Sequence, residues 1–216
     1  MKKEKTLSRR LNRLLPTYSM VPLVTVVLMN LIAYFGTRLF TTQMYHHSMK
    51  LFIDDYIPLN TWFIYVYILA YIQWIIGFWL IAREEKRFCY RILYGEVIAK
   101  ILCMLCFIFY PTTIDRPVIV GNDIADVLTR MIYEMDAPDN LFPSIHCLES
   151  YICFRAALGM KKRSGWYIAV NFVFSALVFA STVCLKQHVA VDMIGAVLAA
   201  ELGIMISGIW IKVKER

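Results

Sequence analysis

The chain has 216 residues, of which 59% are hydrophobic, 14% aromatic and only 18% charged, with a formal net charge of +7. Ordinary soluble domains are nearer half apolar, so the composition excludes one and points to an integral membrane protein. The basic residues fall in short clusters between apolar runs, as membrane topology requires, which sets nucleic acid aside as a partner.

Six spans are expected, at about 17–40, 58–82, 93–112, 143–160, 165–185 and 188–211. Each is near the roughly 20 residues that cross a bilayer core. The first apolar run, Leu14 to Thr37, is free of charge and lacks a small-residue cleavage pattern, so it reads as a retained span and not as a cleaved signal. Orientation follows from Lys and Arg, which hold loops in the cytoplasm. The tail of about residues 1–16 carries Lys2, Lys3, Lys5, Arg9, Arg10 and Arg13; alternate loops carry Arg83, Lys86, Arg87 and Arg91, then Lys161, Lys162 and Arg163; the chain ends with Lys212, Lys214 and Arg216. The opposite loops hold only Arg38, Lys50, Arg116, Arg130 and Lys186. Both termini are therefore expected in the cytoplasm of a cell with a bacterial-type plasma membrane. The stretches around Arg116, His146 and His188 then meet at the outer face.

Trp62, Trp79, Trp166 and Trp210 sit near span ends, where indole rings anchor at the interface. The outer loop of about 113–142 repeats Ile124, Val127, Leu128, Met131 and Ile132 at helical spacing, opposite Asp123, Asp126, Arg130 and Glu134. That pattern predicts an amphipathic helix on the outer leaflet, either a lid or lateral gate over a site or a spacer packed on the helix ends. The six cysteines lie within or beside apolar runs and imply no disulfide framework; Cys103 and Cys106 have C-x-x-C spacing inside a span without partner ligands and read as packing. His46 and His47, near Asp54 and Asp55, read as solvated loop. No repeat or linker divides the chain. The fold class is all-α: one polytopic membrane domain over 1–216, a six-helix transmembrane bundle with an amphipathic helix in its long outer loop.

Two stretches carry chemistry. In Lys186-Gln-His-Val-Ala-Val-Asp192 the histidine and aspartate are four apart on a helix, so they share a face. A carboxylate on one ring nitrogen leaves the other as a nucleophile and stabilises the cation formed on attack. In Asn140-Leu-Phe-Pro-Ser-Ile-His146, Pro143 suits a first helical turn. The amides of Ser144, Ile145 and His146 then point from the helix start, where anions bind. Ser144 adds a hydroxyl, and His146 an imidazole suited to protonating a leaving alkoxide. A capped helix with an interfacial histidine is the plain alternative.

Pro143-Ser-Ile-His146, then Ser181, then His188-x-x-x-Asp192 resemble the second and third signature motifs of the type-2 phosphatidic acid phosphatase family, and Arg116-Pro117 resembles the end of the first. The resemblance covers most of residues 100–200. It implies a six-span lipid phosphatase or phosphotransferase in which His188 attacks phosphorus to give a phosphohistidine, Asp192 orients it, and His146 protonates the leaving group. Arg116 and Ser144 would hold phosphoryl oxygens, and no metal or other cofactor is implied. Two positions depart from the family pattern: Phe109 stands in the register of a lysine, and Thr182 follows Ser181 where an arginine is usual. Lys186 has the flexible stem to supply one missing cation. A poorer cationic grip suits a monoanionic diester, which resembles the branch of sphingomyelin and inositol phosphorylceramide synthases. Hydrolysis of a lipid phosphate stays in front; headgroup transfer between lipids and a non-catalytic lipid-binding protein are the alternatives. The expected partners are a lipid phosphate or phospholipid and the bilayer.

Lys100, Glu149, Arg155 and Glu201 fall within expected spans, where a charge needs a partner. Lys100, Arg155 and Glu201 share a depth of roughly 18–20 Å from the outer span ends. Pairing of Glu201 with Arg155 or Lys100 is expected, with snorkelling of the cations as the alternative. Glu149, one turn below His146, either orients that ring or bonds elsewhere in the bundle.

Overall fold

The computed structural model describes residues 14–161 and 163–214. The basic residues Lys2, Lys3, Lys5, Arg9, Arg10, Arg13, Lys162 and Arg216 lie outside the described residues. Seven helices follow one another among those described. They are α1 (Thr17–Thr41), α2 (Thr61–Arg83), α3 (Lys86–Phe109), α4 (Ile124–Met135), α5 (Ile145–Ala157), α6 (Gly165–Cys184) and α7 (Ala190–Lys214). A π-helical turn at Ile32–Gly36 interrupts α1, and Thr61–Phe63 enters α2 as a 3-10 turn. Two short strands, His47–Ser48 and Thr112–Thr113, pair in parallel.

All helices but α4 run back and forth between the same two ends. At one end the Asn60 amide donates to Cys184 O at 3.0 Å and the His47 amide to Pro111 O at 2.8 Å. At the other, Trp79 Nε1 donates to Leu14 O at 3.1 Å and the Lys161 amide to Glu84 Oε2 at 3.4 Å. Arg83, Lys86, Arg87, Arg91, Lys161, Lys212 and Lys214 cluster at this second end.

Five helices, α1, α2, α3, α6 and α7, are long and apolar enough to cross a membrane. The expected fourth span differs: α5 has 13 residues, roughly 20 Å at helical rise, and does not meet that standard. Its surroundings explain its composition. Cys147, Leu148, Glu149, Ser150, Ile152, Cys153, Ala156 and Ala157 are all buried, so it is walled by protein and has no need of a lipid-compatible surface. The third helix begins at Lys86, well before the expected 93, because a basic helical turn continues past the apolar stretch.

The most extensive packing is between α3 and α7. Gly95 and Gly203 let the two backbones touch: a Cβ on Gly95 would lie 2.8 Å from Ile204 Cα, and one on Gly203 would overlap the Gly95 carbonyl. Small residues at such crossings exchange side-chain bulk for backbone contact, the usual means of helix association in lipid.

The amphipathic helix is present over Ile124–Met135. Asp123 caps it, accepting the Asp126 amide at 2.8 Å. Ala125 and Thr129 are buried, and Leu128 and Ile132 pack on Ile64, Tyr67 and Leu185. Ile124, Val127 and Met131 of the expected apolar stripe face outward. The loop between α1 and α2 also differs from a solvated segment. Asp54 is buried, with Oδ1 accepting the Ala190 amide at 2.8 Å at the start of α7, and His47 stacks on Tyr110 with centroids 4.2 Å apart.

Candidate active site

A tight turn at 185–189, with Lys186 at φ 52°, carries the chain from α6 into α7. The amides of Gln187 and His188 both donate to Thr182 O, at 2.9 and 3.1 Å. This fixes His188 at the helix entrance. Its Nδ1 lies 3.0 Å from Asp192 Oδ2, which also accepts the Val189 amide at 3.1 Å. Asp192 is fully buried, and its Oδ1 has no partner among the described residues. A buried carboxylate on Nδ1 assigns that nitrogen the proton and leaves the Nε2 lone pair for reaction.

The second stretch reaches the same place from α5. Phe142–Pro143 is a cis bond, and Ser144, not Pro143, takes the capping position, its Oγ accepting the Cys147 amide at 3.3 Å. Pro143 therefore sits outside the first turn where it was expected. The Ser144 amide donates to Asp192 O at 3.2 Å, which ties the two motifs main chain to main chain. That contact occupies one of three amides expected to face an anion and leaves those of Ile145 and His146. Thr112 Oγ1 accepts the amides of Leu141 and Phe142 at 3.0 and 2.9 Å. The Phe142 ring lies against Gly195, where a Cβ would approach its edge to 2.5 Å. Gly195→Ala is expected to push this segment off α7, with an overpacking cost of about 1–3 kcal/mol. A melting curve in detergent reads the cost; an unchanged midpoint would show that Phe142 yields freely.

His146 is enclosed by aromatic rings that the motifs did not reveal. Tyr67 stacks on it at 4.1 Å and 18°, while Tyr71 and Trp74 meet it edge-on at 5.6 and 5.0 Å. Tyr67 Oη lies 3.3 Å from His146 Nδ1. Tyr67, Tyr71 and Trp74 follow an i, i+4, i+7 stripe on α2, a periodicity that was available in the sequence. Trp74 is itself anchored, donating Nε1 to Ser150 Oγ at 2.9 Å.

His146 and His188 wall one cavity of about 510 Å³, a size usual for small-molecule sites. Asn30, Tyr34 and Arg38 line it from α1, Tyr67, Tyr71 and Trp74 from α2, and Asp136, Asp139 and Asn140 from the segment after α4. Leu31, Phe35 and Tyr71 belong both to this wall and to the exposed outer surfaces of α1 and α2, so the cavity reaches the side of the bundle. The π-helical turn of α1 falls on this wall. Arg38 fastens the segment after α4 across the opening, with Nε 2.8 Å from Asp139 Oδ1 and Nη2 2.9 Å from Asp136 Oδ1; Tyr34 Oη adds a bond to Asp136 Oδ1 at 2.6 Å.

The expected phosphate-holding residues fare differently. Arg116 lies over the Tyr133 ring at 4.7 Å and donates to Gln187 Oε1 and to the carbonyl of Asp136. It thus braces the residue next to His188 and does not line the cavity. Burial pushes the Tyr133 phenol up to about 12, so it stays a neutral donor, bonding Leu185 O at 2.7 Å. Lys186 does not reach back over the site: its ammonium donates to Ile57 O and, at 3.2 Å, to Asp54 O in the loop between α1 and α2. Ser181 Oγ donates to Val178 O at 2.7 Å within its own helix, and Ser144 is buried as a cap. Phe109 is exposed, and Thr182 Oγ1 donates to Phe179 O at 2.8 Å.

The intramembrane charges form two groups below the cavity. Glu201 pairs with Arg155, Oε1 to Nε at 2.7 Å, and accepts Tyr151 Oη at 2.8 Å, as expected. Lys100 joins a separate, fully buried group. Its Nζ meets Glu149 Oε1 at 2.5 Å, Glu96 Oε1 at 2.8 Å and Asn30 Oδ1 at 2.7 Å. Glu149 therefore holds Lys100 and not His146. Glu96 is a partner the sequence reading passed over.

No protein-family model, no curated protein and no solved structure matches the chain, so the side chains around this cavity are what its chemistry is read from.

Proposed function

We propose that the chain is an integral membrane enzyme that cleaves a phosphomonoester or diphosphate of a lipid through a phosphohistidine on His188. The observation that carries this reading is that two imidazoles from different segments, one at the start of α5 and one in the turn before α7 and backed by a buried carboxylate, wall the same cavity. On this reading α5 completes six crossing helices, both termini are cytoplasmic, the cavity faces outward, and the fold is that of the type-2 phosphatidic acid phosphatase family. The lipid enters from the side, between α1 and α2, and places its phosphorus between the rings.

His188 Nε2 attacks phosphorus, the bond from phosphorus to the lipid oxygen breaks, and His146 gives that oxygen its proton. Asp192 balances the charge that develops on the phosphorylated ring. Water, giving a proton to His146, then attacks phosphorus; the nitrogen–phosphorus bond breaks, and phosphate leaves. The aromatic box around His146 holds the ring in one orientation through both steps.

One observation favours transfer to a lipid alcohol in place of hydrolysis. Arg116 and Lys186 are engaged elsewhere, and the one cation that lines the cavity among the described residues, Arg38, is held by two carboxylates. A singly charged diester needs less neutralisation than a monoester dianion. The deciding experiment incubates purified protein with a panel of lipids labelled at phosphorus and measures bound label, released phosphate and product lipid. Acid-labile label on the protein with phosphate release supports hydrolysis, and label with transfer to an added lipid alcohol supports transfer. A protein that takes up no label from any lipid would overturn both.

A further inference from the structure

At the end of the bundle away from His188, α3 and α7 enclose a second cavity of about 580 Å³. Its α7 wall is a single stripe: Leu198, Leu202, Met205, Ile209 and Lys212 recur every three or four residues and so share one face. From Leu198 to Lys212 the stripe is roughly 21 Å long at helical rise, about the reach of an extended acyl chain. Its apolar members are exposed on the bundle surface.

The other wall is cationic. Arg87 and Arg91 enter from the first turns of α3 and meet Lys212 at the basic end of the stripe. Arg91 lies across Gly208, where a Cβ would come within 3.1 Å of its Nε; the glycine leaves a shelf for the guanidinium. Glu201, the one carboxylate among the lining residues, is already bridged to Arg155 and Tyr151. Positive charge is therefore concentrated at one end of an apolar trough whose long axis follows a membrane helix. Such basic sites between helices suit lipid headgroups, and guanidinium groups suit phosphate.

We propose that this groove binds an anionic phospholipid of the leaflet at the basic end, with its phosphate on Arg91 and Lys212 and one acyl chain along the Leu198–Ile209 stripe. The site is separate from the cavity of His188 and independent of the chemistry proposed there.

The test uses the full chain in neutral detergent, melted with added phosphatidylglycerol or phosphatidylcholine micelles. Phosphatidylglycerol is expected to raise the parent's midpoint by about 5 °C or more above phosphatidylcholine at saturating lipid. Arg91→Gln combined with Lys212→Gln is expected to erase that difference. Gly208→Leu, which fills the shelf but keeps both cations, is expected to do the same and serves alone if the double variant does not fold. Equal stabilisation of the parent by the two lipids, or a full phosphatidylglycerol advantage in the variants, would overturn the proposal. Because the altered residues lie far from His188, a lipid held only at the catalytic cavity would leave the advantage intact.

Discussion

His188→Ala is expected to lower lipid phosphoester cleavage by about a thousandfold or more, because on the proposed mechanism it removes the group that bonds to phosphorus. Asp192→Asn tests the same assembly more finely. An amide keeps the shape, and its oxygen at the Oδ2 position can still accept both the Val189 amide and the proton on His188 Nδ1, but the negative charge beside the ring is gone. On the proposed mechanism the charge that develops on the phosphorylated ring then has no counter-charge, and the rate is expected to fall by about 10²-fold or more. Both variants retain the Ser144 amide contact to the Asp192 carbonyl, so melting curves near the parent's are expected to accompany the loss. Initial rates on a lipid phosphate, with bound label measured alongside, check the pair. A folded His188→Ala protein within tenfold of the parent would remove His188 from the reaction.

Lys100→Met is expected to cost the fold about 3–5 kcal/mol, a large share of the stability of a typical domain. Lys100 is completely buried, and its ammonium is the only cation contacting Glu96 and Glu149 among the described residues. Removing it leaves two carboxylates inside the bundle with no counter-charge, while Asn30 loses its donor. Glu149→Gln is a milder change, since one carboxylate and the ammonium remain. The expected order of midpoints is therefore parent, then Glu149→Gln, then Lys100→Met, with the last well below the others. A Lys100→Met protein that melts with the parent would mean that water reaches the group and shares the load.

The sequence made most of the helical architecture legible because hydropathy reports the lipid-facing surface, and α1, α2, α6 and α7 present such surfaces along their lengths. It misjudged α3 and α5 for the same reason. The first turns of α3 are basic and lie past the apolar run, and α5 faces protein on every side. At the site, spacing found His188 and Asp192 because residues four apart are local geometry, although His188 lies in the turn before α7 and not on the helix as expected. Arg116 and Lys186 defeated it because long cationic side chains choose partners from distant segments, here Gln187 and the carbonyls near Asp54. The enclosure of His146 joins α2 to α5, and the Glu96–Lys100–Glu149 group joins α3 to α5. Neither can be read until the helices have been packed.

The amide of Ser144 resting on the carbonyl of Asp192 carries a consequence for how the molecule can change. The fastening is between backbones, so replacing side chains elsewhere leaves its donor and acceptor in place, and it ties the segment that bears His146 to the one that bears His188. The lip of the chamber, with Phe35, Met135 and Asp139, belongs to other segments. If the proposed function holds, substitutions along that lip are expected to change which lipids are admitted while this tie between the two histidine segments stays as it is.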